Sequence, residues 1–124
     1  MPFSKTGGLA DVLGALPSSL ARLGWDATIA LPRYRGVTAG NLVDRFVVGI
    51  GGYSAEVGFF EAALDDGARA LLIDDPSLFQ REELYEVDHV DYPDNALRFA
   101  MLAKAALEFV ARGGMAPSVV HAHD

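Results

Sequence analysis

The chain has 124 residues, a net charge of −7, 51% hydrophobic and 22% charged residues, and no cysteine, a composition that fits one soluble globular domain at most. Lysine occurs only at Lys5 and Lys104, so there is no basic stripe to follow a nucleic-acid backbone, and the lack of cysteine excludes a disulfide framework and thiolate metal sites. No apolar run of about 18 residues and no signal-peptide pattern is present, so the sequence reads as neither membrane-spanning nor secreted, with the cytoplasm as the default location.

The first element opens at Lys5-Thr6-Gly7-Gly8-Leu9. Two glycines allow close approach of the backbone to a ligand, a helix start offers unpaired N–H groups and a positive dipole end, and Lys5 adds a full charge. Such a turn is a cradle for phosphate or carboxylate, or an ordinary helix entry that uses glycine only for its φ freedom. It is neither a Walker loop nor a G-x-G-x-x-G dinucleotide fingerprint. Ahead of it stand only Met1-Pro2-Phe3-Ser4, where a Rossmann-type loop normally follows a buried parallel strand. The N-terminus therefore reads as clipped, or its start codon as misplaced.

Leu9, Leu13, Leu16, Leu20 and Leu23 are spaced four, three, four and three apart, which predicts an amphipathic helix over Leu9–Leu23 with the leucines toward a core. Pro17 falls inside this pattern and predicts a kink; Gly24 supplies the stop. Ala27 to Leu31 reads as a short buried strand ended by Pro32. From Asn41 to Asp75 the pattern becomes strand-like, with pieces at Val43–Ile50, Ala55–Leu64 and Arg69–Ile73 separated by Gly51-Gly52 and Asp65-Asp66-Gly67, the signature of antiparallel hairpins. Leu78 to Asp91 reads as a polar loop carrying Tyr85. Asp94 and Asn95 are cap candidates for a second helix that runs to Arg112 and stops at Gly113-Gly114, with Phe99, Leu102, Ala106, Phe109 and Val110 as its buried stripe. Val119 to Asp124 reads as a final strand, with His121 and His123 on one face.

His121-Ala122-His123-Asp124 is the second polar constellation. Its residues are either the capping end of a strand or, since ligands of open α/β sheets bind at the carboxyl ends of strands, part of a binding edge. A zinc site built on His121, His123 and Asp124, as in a metal-dependent hydrolase, is a third reading.

The run from Pro2-Phe3-Ser4-Lys5-Thr6-Gly7-Gly8-Leu9 through Pro17, the later Leu31-Pro32-Arg33-Tyr34, the Tyr92-Pro93-Asp94-Asn95 helix start and His121-Ala122-His123-Asp124 closely resemble the N-terminal part of bacterial glycogen synthases and plant starch synthases. The resemblance covers nearly the whole chain, with its motifs in order. It implies an α/β fold: the Rossmann-like N-terminal domain of a GT-B glycosyltransferase, incomplete, with an inserted antiparallel hairpin region. Residues 1–124 would be part of that domain, with the C-terminal nucleotide-binding domain absent. The implied activity is retaining transfer of glucose from ADP-glucose, or UDP-glucose, to the non-reducing end of an α-1,4-glucan, without metal or other cofactor. Lys5, Thr6, Gly7 and Gly8 would hold the donor's phosphates, Tyr85, His121 and His123 would border the glucose, and Asp124 would act beside the reacting carbon.

The same resemblance marks what this sequence lacks. The family's first strand, a later Thr-Val-His-Asn segment with its catalytic histidine, and the Arg/Lys pair and carboxylate of the second domain have no counterpart in these residues. The isolated chain is therefore expected to be inactive as a transferase. A non-catalytic sugar-phosphate or glucan binding module is the alternative.

Overall fold

The computed structural model describes residues 7–79, 86–87, 90–91, 93–113 and 117–123. Helix α1 (Gly7–Arg22) leads into strand β1 (Thr28–Pro32); a pair of hairpins follows, β2 (Asn41–Ile50), β3 (Tyr53–Ala63) and β4 (Arg69–Asp74). Next come a one-turn helix α2 (Pro76–Phe79), two short strands β5 (Glu86–Val87) and β6 (Val90–Asp91), and helix α3 (Asn95–Arg112).

The main sheet has four strands in the order β1-β4-β3-β2. β1 runs parallel to β4, with Leu31 opposite Leu72, and both hairpins are antiparallel. The hairpin segment is thus no appendage: it carries the chain out from β1 and brings it back alongside β1 as β4. Gly51, with φ of +57°, opens the two-residue connection between β2 and β3 in the conformation that a type II′ turn requires.

β4 alternates between two cores. Ala70 and Leu72 join Ile29 and Leu31 on the face where Leu13 of α1 packs, and Leu71 and Ile73 join Phe46, Val48, Val57 and Phe59 on the face of Met101 and Ala105 of α3. Burial on both faces explains the nearly continuous apolar run of this strand. The result is three layers: helix α1, the sheet, and helix α3. At the outer edge, β2 leaves Leu42, Val43 and Val47 exposed, with a register irregularity between Leu42 and Asp44 and the charges of Asp44 and Arg45 along it, features that discourage pairing with another chain.

The first helix begins two residues earlier than its leucine pattern predicts, so Gly7 and Gly8 are its first turn rather than a loop ahead of it. Pro17 lies inside the helix and is buried, while Leu13, Leu16 and Leu20 are only half-buried. Leu23 is 78% exposed, because the helix has ended at Arg22 and the face that the leucine repeat defines no longer turns toward the sheet. Gly24 makes the stop: its φ is +97°, its N–H donates to the Ala21 carbonyl at 3.0 Å, and the Trp25 N–H donates to that of Leu20 at 3.0 Å, the pair of bonds of a Schellman motif. A Cβ at Gly24 would meet nothing within 4 Å, so only the backbone conformation opposes a side chain. Gly24→Ala is expected to destabilise the chain by about 1–2 kcal/mol, measured as a lower urea midpoint at unchanged m-value, with Gly24→Asn losing less.

Three other readings are corrected. Leu78 to Asp91 is not simply loop, since Leu78 and Phe79 are buried in α2 and β5 pairs antiparallel with β6; Pro76 suits a first helical position and starts that turn. The buried stripe of α3 is centred on Arg98, Met101 and Ala105, with Leu102, Ala106 and Phe109 packed beside it, and Asp94 precedes the helix without a side-chain capping bond. Residues 117–123 form no strand, and Val119 and Val120 are exposed. A strand is stable only when its N–H and C=O groups are paired in a ladder, and no described strand runs beside this segment.

Among the described residues no helix is long and apolar enough to cross a membrane.

Candidate functional site

Parallel pairing places the carboxyl ends of β1 and β4 side by side, with Pro32 opposite Ile73, and in open α/β sheets that is the edge where ligands bind. Helix α1 lies on one face of the sheet, with Leu13 packed on the cluster of Ile29, Leu31, Ala70 and Leu72. Its C-terminal half is fastened at the amino ends of the strands, where Ser18 Oγ donates to the Asp65 carbonyl at 3.2 Å and Arg22 pairs with Asp66 at 2.5 Å. With that end fixed, a rise of about 1.5 Å per residue carries the helix back along the sheet toward the carboxyl edge. Its first turn is Gly7-Gly8, with the unpaired N–H groups of any helix start.

Polar side chains gather where β1 and β4 leave the sheet. The Arg33 N–H donates to the Ile73 carbonyl at 2.7 Å, its guanidinium lies 4.0 Å from the centre of the Phe60 ring, and it approaches the Asp74 carboxylate at 3.6 Å. Asp75 is buried at the start of α2, where its carbonyl accepts from Leu78 and Phe79. Its carboxylate accepts from the Tyr53 hydroxyl at 2.6 Å and from Ser77 Oγ at 2.8 Å. Arg98, in the first turns of α3, is fully buried; its Nε donates to the Leu78 carbonyl at 2.6 Å and its Nη1 to Asn95 Oδ1 at 2.7 Å. Tyr34 packs edge-on against Phe79, ring centres 6.4 Å apart. These contacts make a rigid floor at the edge, held by charge-assisted hydrogen bonds.

Of the residues singled out by sequence, Gly7 and Gly8 stand in the first turn of α1. His121 and His123 are exposed and lie against each other, ring centres 4.1 Å apart, the proximity expected of residues two apart in an extended chain even without a strand partner. Lys5, Thr6, Tyr85 and Asp124 lie outside the described residues. Among the described residues no group of three His, Asp or Glu side chains stands together as metal ligands; the carboxylate that the zinc reading requires, Asp124, is outside them.

Sequence reasoning gave Arg33 only as a member of the Leu31-Pro32-Arg33-Tyr34 motif and passed over Tyr53, Asp75 and Arg98. Arg98 had a signal: it stands three and seven residues before Met101 and Ala105, on the apolar stripe itself. A charged residue at a core position of a helix has to be paired by something outside that helix. Tyr53 and Asp75 had none, because the bond between them depends on where the β2–β3 hairpin returns.

A mixed α/β chain with a four-stranded sheet, a helix on each face and a parallel strand pair open at its carboxyl edge is the class that this geometry defines. Comparison with known proteins takes the assignment further. A model of the starch synthase catalytic domain matches residues 1–124, and the chain belongs to that family. It is 41% identical to glycogen synthase 2 of Geobacter metallireducens over 99% of this chain and 26% of that protein, and 42% identical to the glycogen synthase of Roseobacter denitrificans over the same shares. To the glycogen synthase of Koribacter versatilis it is 37% identical over 100% of this chain and 26% of that protein. The chain thus spans about a quarter of the length of the curated relatives it matches.

Proposed function

We propose that these residues are part of the N-terminal, Rossmann-like domain of a GT-B glucosyltransferase that extends an α-1,4-glucan from a nucleotide-activated glucose, with ADP-glucose as donor. The observation that carries this reading is the match of the family model to all 124 residues. The placement of Gly7 and Gly8 in the first turn of a helix aimed at the carboxyl edge of β1 and β4 supports it, since an anion is favoured at such a turn.

In this reading Lys5 and the N–H groups of Thr6, Gly7 and Gly8 take the donor's diphosphate, and the lysine charge offsets the negative charge that develops as the diphosphate leaves. Tyr85, His121 and His123 border the glucose, and Asp124 hydrogen-bonds its hydroxyls or sets the field at the reacting carbon. Retention through departure and attack on one face asks mainly for positioning and leaving-group stabilisation. The acceptor is the non-reducing end of the glucan, and no metal takes part.

The test is a thermal melt of the purified chain with millimolar ADP-glucose, beside Lys5→Ala. Wild type is expected to be stabilised, by about 2.7 kcal/mol when the ligand is a hundredfold above Kd, and the variant to lose most of that shift. No shift in wild type, or the same shift in Lys5→Ala, overturns the reading. UDP-glucose in a parallel melt decides the donor.

A further inference from the structure

The two edges of the main sheet are built differently. β2 carries a register irregularity and the charges of Asp44 and Arg45. β1 has an unbroken register and no charged residue, and among the described residues no strand pairs with its outer side. The ladder to β4 shows which groups face outward. The Ala27 carbonyl accepts from the Arg69 N–H at 3.0 Å, and the Arg33 N–H donates to the Ile73 carbonyl at 2.7 Å. Alternate residues of a strand address the same neighbour, so Ile29 and Leu31 also face β4, while Thr28, Ala30 and Pro32 turn their main-chain groups outward. Thr28 and Ala30 are exposed. An uncharged strand with small outward residues and unused N–H and C=O groups is a template for a further strand.

We propose that this edge binds a second copy of the chain, with β1 of one copy antiparallel to β1 of the other about a two-fold axis at Ala30. That pairing overlaps the whole strand. The Ala30 N–H of each copy donates to the Ala30 carbonyl of the other, and each Thr28 N–H donates to the Pro32 carbonyl of the other. Every outward N–H then has an acceptor, and proline, which has no N–H to give, forfeits only the bond to the Thr28 carbonyl. The ends of the strand select the antiparallel sense. Asp26, whose side chain is 79% exposed, precedes β1, and Arg35, also exposed, follows it. Antiparallel copies bring acid toward base at both ends, whereas parallel copies set like charges side by side. On the face where α1 packs, Ile29 of one copy stands opposite Leu31 of the other, and the two four-stranded sheets become one. The interface is the same patch on both copies, as a two-fold requires, and it does not rest on the proposed function above.

The experiment uses the full chain, of 13.2 kDa. Sedimentation equilibrium is expected to show monomer passing to dimer as concentration rises. Hydrogen exchange locates the contact: the Thr28 and Ala30 amides are expected to slow as the dimer fills, while those of Ile29 and Leu31, already facing β4, keep their rates. Ala30→Lys sets two ammonium groups opposite each other at the axis and is expected to weaken the dimer at least about tenfold. Val47→Lys, on the exposed part of β2, is expected to leave it unchanged. Because the chain has no cysteine, Ala30→Cys supplies a single thiol. Directly opposed residues of a hydrogen-bonded antiparallel pair have Cα atoms about 5.5 Å apart, within reach of a disulfide, so mild oxidation is expected to trap Ala30→Cys as a covalent dimer and to leave Val47→Cys monomeric. A chain that stays monomeric at every concentration overturns the proposal. So does a dimer that Ala30→Lys does not weaken, which uses another surface, and so does slow exchange of Thr28 and Ala30 in the monomer, which means that a segment of the same chain covers the edge. If Ala30→Lys does not fold, the cross-link of Ala30→Cys decides.

Discussion

Replacing Phe59 by alanine is expected to destabilise the chain by about 3–5 kcal/mol, the range for removing a buried phenyl ring. Phe59 is fully buried in β3, and its ring is stacked between two others, Phe46 of β2 at 4.6 Å and Phe109 of α3 at 5.0 Å. It therefore joins the hairpin to the helix as well as filling space, and the rings add offset-stacking energy to the area they bury. The next residue supplies the control. Phe60 points to the other face, is only partly buried and lies under the Arg33 guanidinium, so Phe60→Ala is expected to cost less than half as much. Urea denaturation of both variants checks this. A loss below about 1.5 kcal/mol for Phe59→Ala, with the m-value unchanged, would mean that the three-ring stack does not hold α3 to the sheet.

How much of this architecture the sequence reveals depends on whether a feature is local. The hairpins were readable because a turn of two glycines, or of Asp-Asp-Gly, between alternating apolar residues fixes its own partner strand. The end of α1 was readable at Gly24 for the same reason, since a positive φ at a helix end calls for glycine. Leu23 misled: the leucine spacing extends one residue past the helix, and periodicity alone does not say where the partner surface stops. The stretch from Val119 to His123 misled more deeply. Its pattern suits a strand, but strand formation depends on a neighbour elsewhere in the chain, and a sequence pattern does not name that neighbour.

The candidate site divides along the same line. Gly7-Gly8 and the His121–His123 pair are short motifs whose residue types suggest their chemistry, so the sequence alone singles them out as candidates. The floor beneath the edge, with Tyr53 on Asp75 and Arg98 on Leu78 and Asn95, joins residues up to 22 positions apart. Only the tertiary fold brings them together, through the pairing of β3 with β4 and the packing of α3 against α2. The stripe expected for α3 is also off-centre, since it leaves out the apolar Met101 and Ala105 as well as Arg98, whose burial depends on partners in α2.

Leu72→Ala is the second large expected effect, a loss of about 2–5 kcal/mol, and it bears on function more directly than Phe59. Leu72 is fully buried in the cluster formed with Ile29, Leu31 and Ala70, with Leu13 of α1 packed against it. On one face of an exposed sheet a leucine contributes only what half-burial gives, roughly 1 kcal/mol. The full cost appears only if α1 covers that face. The same docking aims the Gly7-Gly8 turn at the carboxyl edge of β1 and β4, so the stability of this variant measures whether the turn is held in place before any ligand arrives. Preorganisation of that kind spares a binding site the cost of ordering its groups when the ligand binds. Leu71→Ala gives the comparison, since Leu71 faces the α3 core and reports nothing about α1. If Leu71→Ala costs several kcal/mol and Leu72→Ala less than about 1 kcal/mol, α1 is not firmly seated, and any binding at its first turn would have to order the helix as well as the ligand. If both are costly, the first turn of α1 stands on a sheet buried from both sides, and under the proposed function a loss of ADP-glucose stabilisation in Lys5→Ala then reads as a loss of charge alone.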